Sequence, residues 1–188
     1  IISLPIIVML MAVIAIAIYL EDGKKSSVLF TQNRVGQGGK VFKMYKFRSM
    51  VTNAEELKKK LAEETGQEDR FIFKMKDDPR ITKVGHFIRK TSLDEFPQFY
   101  NVLKGDMSLV GPRPALPEEV ARYGSLYSAR LLVKPGITGP WQVSGRSDLS
   151  QEQSEYLDVS YIENWSIAGD LAILAKTVMV IFTGRGSY

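Results

Sequence analysis

Ile1-Ile-Ser-Leu-Pro5-Ile-Ile-Val-Met-Leu10-Met-Ala-Val-Ile-Ala-Ile-Ala-Ile-Tyr-Leu20 carries no charge over twenty residues. That length matches the ~30 Å hydrocarbon core of a bilayer. Pro5 complicates a simple span, because a proline removes a helix hydrogen bond and kinks or ends a helix. The uninterrupted run from Ile6 to Leu20 would rise only ~22 Å. The stretch therefore predicts a re-entrant membrane helix that turns at Pro5, with its start upstream of Ile1. An ordinary spanning helix cut short at its start is the second reading. A cleaved signal peptide is disfavoured, since no basic segment precedes the apolar run and no small-residue cleavage site ends it. A buried core helix would be expected to show some polar face. The Glu21-Asp22-Gly23 break and the lysines that follow place the next residues on the cytoplasmic side by the positive-inside rule. The chain thus divides into a membrane-associated segment, 1–22, and a domain on the cytoplasmic face, 23–188.

The domain begins with a basic stretch. Residues 23–54 hold Lys24, Lys25, Arg34, Lys40, Lys43, Lys46 and Arg48 and no acid. Such a patch attracts phosphate, whether on a nucleotide or a lipid headgroup. Val28 to Gln32 reads as a strand, Arg34 to Gly39 as a glycine turn, and Lys40 to Met50 as the returning strand, which together make a β-hairpin. The glycines do not form a phosphate loop, because no Gly-Lys-Ser/Thr ending and no helix follows. Thr52 and Glu55 open a polar helix supported by Glu55–Lys59 and Glu56–Lys60, with Gly66 as its stop. The chain has no cysteine and one histidine, His86. Disulfides, thiolate chemistry and histidine metal clusters are thereby excluded. Acid–base or nucleophilic work falls to carboxylates, Lys, Tyr or Ser.

Further along, Phe71 to Met75 is a short apolar stretch and Asp77-Asp78-Pro79-Arg80 a turn. Ile81 to Lys90 reads as a helix weakened by Gly85. Arg89-Lys-Thr-Ser-Leu-Asp-Glu-Phe-Pro-Gln98 then puts adjacent carboxylates, Asp94 and Glu95, before a proline that can open the helix Phe96–Leu103. Ser92 and Glu95 also spell a capping box, so this string alone supports both a helix cap and a reactive pair. At a helix mouth both acids would be kept ionised. Side chains ~100° apart suit two separate tasks better than one shared proton. Arg113, between Pro112 and Pro114, is held in a backbone with little freedom, which lowers the entropy lost in gripping a phosphate. Leu116 to Leu132 reads as one helix. Lys134 to Ser147 reads as a long aperiodic loop in which glycines admit a ligand and Trp141 either stacks on it or anchors the loop. Gln153 to Tyr161 is helical, with Asp158 and Tyr161 on one face. Leu171 to Phe182 is an apolar helix too short to span, lying in the core or at a membrane interface. The fold class is α+β: mostly helical, with a small β-hairpin, a re-entrant N-terminal helix and interfacial apolar helices.

Taken together, several strings resemble the bacterial sugar transferase family, the monotopic phosphoglycosyl transferases. They are Lys46-Phe-Arg-Ser-Met50, Ser92-Leu-Asp-Glu-Phe-Pro-Gln98, Asn101-Val-Leu-Lys-Gly-Asp-Met-Ser108 and Val110-Gly-Pro-Arg-Pro114. Lys134-Pro-Gly-Ile-Thr-Gly139, Gln142-Val-Ser-Gly-Arg146 and the spacing Asp158-x-x-Tyr161…Ser166…Asp170 complete the set. The resemblance implies transfer of a sugar-1-phosphate from a UDP-sugar, a hexose such as glucose or galactose, to undecaprenyl phosphate with release of UMP. It implies that Asp94 is the nucleophile and that Glu95 is its partner, associated with Mg²⁺. Arg89, Arg113 and Arg146 would hold phosphate and nucleotide, and Trp141 and Asp158 would join the substrate site. It places the protein on the cytoplasmic face of the bacterial inner membrane, in the first membrane step of O-antigen, capsule or exopolysaccharide assembly. Nucleic acid is not an implied partner, and self-association is left open. The family's helix breaks at Ser-Pro, whereas this chain has Ser3-Leu-Pro5. The alternative from another class is a membrane-anchored basic module that binds anionic lipid or nucleic acid without catalysis. It would leave Asp94, Glu95 and the Pro-Arg-Pro triplet without a task.

Overall fold

The structure, a computed structural model, describes residues 3–21, 23, 27–65, 78–121, 123–124, 127–145 and 149–183. Among these residues there are eight α-helices and two two-stranded sheets. The chain is therefore mixed helix and strand, and helix predominates. It divides into two compact units, Ile1–Phe30 with Phe47–Asp94, and Thr31–Lys46 with Glu95–Ser187. The strands β1 (Leu29–Val35) and β2 (Val41–Phe47) form the expected hairpin, but β1 runs on through Arg34 and Val35, which were expected in the turn. Within the turn Gly38 and Gly39 take positive φ.

In the first unit, α1 (Ser3–Glu21) runs through Pro5 instead of stopping there. Pro5 lies in the first turn, where its missing N–H has no helical acceptor to lose. The helix is roughly 28 Å long at 1.5 Å per residue. Among the described residues no helix is long and apolar enough to cross a membrane. Helix α1 packs against α3 (Lys83–Lys90) and buries Ile14 and Ile18, one turn apart. Val8, Met9, Val13, Ile16 and Leu20 remain exposed. The end of α1 is tied to the start of α3: the Glu21 carboxylate accepts from the N–H groups of Lys83 at 2.7 Å and Val84 at 3.1 Å. Thr82 caps the same helix through Gly85 N–H at 2.9 Å. Gly85, which lowered helix propensity in the sequence, is required by packing, since a Cβ there would lie 2.0 Å from the Ser49 carbonyl oxygen. Helix α2 (Ala54–Thr65) buries no residue, as its polar sequence predicts. The apolar stretch at 71–75, the stop at Gly66 and Asp77 lie outside the described residues.

The second unit contains a small core of Phe42, Met44 and Met107, flanked by Val102 and Ile137. Asn101, on α4 (Gln98–Lys104), is fully buried and completes the edge of β2. Its side chain donates to the Lys43 carbonyl at 2.8 Å and accepts from Tyr45 N–H at 3.1 Å. Strands β3 (Ser108–Val110) and β4 (Gly136–Thr138) pair in parallel, with Ser108 opposite Gly136 and Val110 opposite Thr138. The loop expected over residues 134–147 thus contains a strand and a short helix, α6 (Pro140–Ser144). Its glycines serve backbone packing. A Cβ on Gly136 would meet Gly111 N at 2.2 Å, and one on Gly139 would meet Gly111 O at 2.0 Å.

The single helix expected over residues 116–132 is not formed. Instead α5 spans only Pro117–Val120, and a 3-10 segment covers Tyr127–Leu132. Helix α7 (Gln151–Glu163) is longer than expected because Ser150 and Gln153 form a capping box. Helix α8 (Ile167–Thr183) begins four residues before the apolar run. It packs on β3 and β4, with the Thr138 and Thr177 hydroxyls 2.7 Å apart. Ile167, Leu171, Val178 and Met179 stay exposed.

Candidate active site

The carboxylate pair lies in a 3-10 turn, Leu93–Glu95, and not at the mouth of α4. Helix α4 starts later, with Pro97 at its cap position and no side-chain cap bond. The expected Ser92–Glu95 capping box is therefore not used. Ser92 instead takes φ 55, the one non-glycine residue with positive φ among those described. Left-handed backbone at a residue with a Cβ is strained and is held only where surrounding structure demands it. Here it ends the turn leaving α3 and delivers Asp94 and Glu95 one after the other. Glu95 receives the Lys46 ammonium from β2 at 2.7 Å. Lys46 belongs to the basic hairpin, so the charge asymmetry of residues 23–54 supplies a counter-ion to one of the two acids.

A second group of charges surrounds the Pro-Arg-Pro triplet. Arg113 is about one-third exposed and pairs with both oxygens of Glu119, at 3.2 and 3.1 Å. Its guanidinium lies 5.7 Å from the centroid of the Trp141 ring. Glu119 is also bonded to Leu116 N–H at 2.7 Å, which closes the first turn of α5. Arg34 donates to the Pro114 carbonyl at 2.9 Å and to Gln32 at 2.7 Å. Burial and the nearby Arg113 charge lower the Arg34 pKa to about 10, against the pull of Glu119, Glu118 and Glu95. Glu95 thus lies within the same electrostatic field as Arg34. Arg130, buried, donates to Tyr123 Oη at 2.7 Å and to the Arg113 carbonyl at 2.7 Å, and pairs with Asp158 at 3.0 Å. Asp158 is 1% exposed. Burial pushes its pKa up to about 6, opposed by Arg130 and Arg113.

The residues singled out in the sequence are thus dispersed. Arg113 and Trp141 come together. Asp158 is enclosed with Arg130. Arg89, in the last turn of α3, acts on Asp78 through its charge. Arg146 lies outside the described residues. Asp158 and Tyr161 share a helix but not a task, because Tyr161 donates to Asp170 at 2.8 Å and Trp165 donates to the same carboxylate at 3.2 Å. Ser166 Oγ accepts from Gly169 N–H at 3.1 Å, so the Tyr161…Ser166…Asp170 spacing builds the corner between α7 and α8. Four members of the charge groups were not identified as site residues from the sequence. Arg34 and Lys46 were legible only as two cations among seven, and Glu119 only as an acid in a helix start. Arg130 gave no signal, because the carbonyl and the carboxylate it holds are 17 and 28 positions away.

The charged features of the chain are thus the turn of Asp94 and Glu95 and, in the second unit, the groups around Arg113 and Arg130, while α1 and α8 each carry exposed apolar residues. A family model described as Bacterial sugar transferase matches residues 1–184, and the chain belongs to that family. It is 52% identical over 168 residues to galactosyl transferase CpsE of Streptococcus agalactiae, covering 89% of this chain and 37% of that protein. It is 45% identical over 192 residues to the UDP-galactose-lipid carrier transferase of Erwinia amylovora, covering 99% of this chain and 40% of that protein. It is 51% identical over 166 residues to the undecaprenyl-phosphate galactose phosphotransferase of Salmonella typhimurium, covering 85% of this chain and 34% of that protein. The chain therefore spans little more than a third of the length of these curated relatives.

Proposed function

We propose that this chain is the transferase part of a phosphoglycosyl transferase that moves hexose-1-phosphate, of the galactose type, from a UDP-sugar to undecaprenyl phosphate. The observation that carries the reading is the Asp94-Glu95 turn within a chain of this family, two of whose relatives bear names that pair galactose with a lipid carrier. An Asp94 carboxylate oxygen attacks the phosphorus that bears the sugar. The bond to the bridging oxygen breaks and UMP leaves with that oxygen. An oxygen of undecaprenyl phosphate then attacks the same phosphorus, breaks its bond to Asp94 and regenerates the carboxylate. The product is a lipid diphosphate sugar.

Arg113 is the residue to grip a phosphate. Its side chain is partly exposed, and Glu119 and Trp141 fix the direction of its head. Arg89 and Arg146 remain candidates for the nucleotide. Mg²⁺ is the expected metal. Among the described residues no three His, Cys, Asp or Glu side chains converge on one point. Magnesium sites often use one or two carboxylates and take their remaining ligands from substrate phosphate and water. Glu95 fits that role, because it already holds a cationic group, the Lys46 ammonium. Bound there, the ion would neutralise charge on the diphosphate. The exposed apolar residues of α1 and α8 support residence at a membrane. The lysines after Gly23 favour the cytoplasmic face of the inner membrane for the domain. Re-entry of α1 is proposed from the family resemblance, without the turn at Pro5.

The test is the nucleotide product. UDP-galactose and undecaprenyl phosphate together should yield UMP, and Asp94→Asn should abolish turnover and the trapping of labelled phosphosugar on the protein. Release of UDP, or near-normal turnover by Asp94→Asn, would overturn the assignment. Cysteines placed at each end of the complete first helix should label from one side of the membrane.

A further inference from the structure

Four consecutive carbonyls in and after the Pro-Arg-Pro triplet are each held by a different donor. Pro112 O accepts from Gly136 N–H at 2.9 Å and Arg113 O from Arg130 at 2.7 Å. Pro114 O accepts from Arg34 at 2.9 Å and Ala115 O from Val35 N–H at 2.9 Å. Two prolines already limit this backbone. Two of its four donors are buried guanidinium groups, Arg34 at 8% and Arg130 at 7% exposure. Burying a charge to hold one carbonyl is unfavourable unless the charge is answered. Asp158 answers Arg130. Both terminal nitrogens of Arg130 are bonded within the protein, one to Tyr123 and the other to the Arg113 carbonyl and Asp158. Arg130 is therefore committed within the protein and, at 7% exposure, shielded from a substrate.

We propose that Arg130, charge-balanced by Asp158, is a positioning residue that fixes the backbone from which Arg113 reaches phosphate. This rests on the reading of Arg113 as a phosphate-gripping residue. It moves Asp158 from the substrate-binding set to the support of Arg113. A displacement of about 1 Å in a positioned group can lower a rate on the order of 100-fold, so a loosened Arg113 backbone has a direct kinetic readout.

A double-mutant cycle tests this. Replacing the pair together, Arg130→Met with Asp158→Leu, removes the bond to Arg113 without leaving a buried unpaired charge. The replacement is made with native Arg113 and again with Arg113→Met. Each protein is read by kcat/KM for UMP release, by calorimetric affinity for UDP and by its melting transition. With native Arg113, the pair replacement should lower kcat/KM on the order of 100-fold. With Arg113→Met, it should change kcat/KM by less than about 2-fold, because its route to the substrate is already gone. UDP affinity should follow the same pattern, and Arg130→Lys, which keeps a charged donor, should restore part of the loss. A full loss in both backgrounds, or none with native Arg113, overturns the positioning role. If Arg113→Met by itself leaves kcat/KM and UDP affinity unchanged, the phosphate-gripping reading falls first and separately. Should the paired replacement fail to melt cooperatively, Arg130→Lys carries the cycle, with the same non-additivity expected and additivity overturning it.

Discussion

Among the described residues, each unit contains one buried aspartate–arginine pair, and the two behave in opposite ways. Asp78 and Arg80 are two residues apart, on one turn. The Arg80 guanidinium bonds both carboxylate oxygens, at 2.8 and 2.6 Å among its contacts, and Arg80 N–H adds a third donor at 3.0 Å. Burial alone would raise the Asp78 pKa, but the Arg80 hydrogen bonds and charge, aided by Arg89, outweigh it and hold the carboxyl below its usual range. Asp158 and Arg130 are brought together by the tertiary fold. They share one contact, at 3.0 Å, and the second Asp158 oxygen has no hydrogen-bond partner among the described residues. Burial wins there, and the pKa rises to about 6. The two pairs thus differ in two ways: Asp158 is the more deeply enclosed, at 1% exposure against 7% for Asp78, and fewer donors reach its carboxylate. The local pair saturates itself. The distant pair shares its arginine with a backbone carbonyl, and its carboxylate is left under-satisfied.

The comparison can be broken at several points. The largest effect is expected from Arg130→Met alone, which strands Asp158 in a dry site and should lower unfolding free energy by about 3–5 kcal/mol in a urea titration. Adding Asp158→Leu should recover most of that. Failure to recover would mean that Arg130 holds more than its partner and one carbonyl. Next in size is Asp78→Asn, which removes charge from a saturated carboxylate and should destabilise by about 1.5–3 kcal/mol. Asp158→Asn should lose less than Asp78→Asn at pH 7, since burial makes the charge on Asp158 unfavourable whereas its partners favour the charge on Asp78. The reverse order would refute the contrast.

The smallest effect is the pH dependence. The folded pKa of Asp158 is raised from 3.8 to about 6, so the folded state binds that proton more tightly. Its stabilising contribution is complete below 3.8 and is lost as pH rises through about 6. Relative to Asp158→Asn, the native chain should therefore gain about 1 kcal/mol on going from pH 7 to pH 5. For Asp78 the sign is opposite. Its contribution is present above the unfolded value of 3.8 and is lost as pH falls below it. The native advantage over Asp78→Asn should stay level between pH 7 and pH 5 and shrink in more acid solution.

The same contrast explains what could be read in the sequence. Interactions that close within a few residues were legible: the hairpin turn at Gly38 and Gly39, the turn at Asp78-Pro79-Arg80, the helix that ends at Lys90, and the adjacency of Asp94 and Glu95. Interactions that close across the chain were not. Strands of three residues, such as β3 and β4, carry too little periodicity to be recognised. The glycines of the 134–139 segment suggested a ligand approach, but the close neighbour is Gly111, whose location only the fold reveals. The break between α5 and the 3-10 segment contains Gly124, a stop signal that the expectation of one helix over 116–132 passed over. Glu119 favours the first turn of α5 by bonding Leu116 N–H and Arg113, and neither bond continues the helix.

The bond from Glu21 to the start of α3 has a mechanical consequence. A helix advances 1.5 Å and rotates about 100° for every residue. Inserting one alanine between Leu20 and Glu21 would swing the Glu21 carboxylate away from Lys83 and Val84 N–H while leaving Ile14 and Ile18 in place. Glu21 therefore works as an index mark that fixes how far and at what angle the apolar helix meets α3. The position of α1 along its own axis and the placement of α3 become a single coordinate.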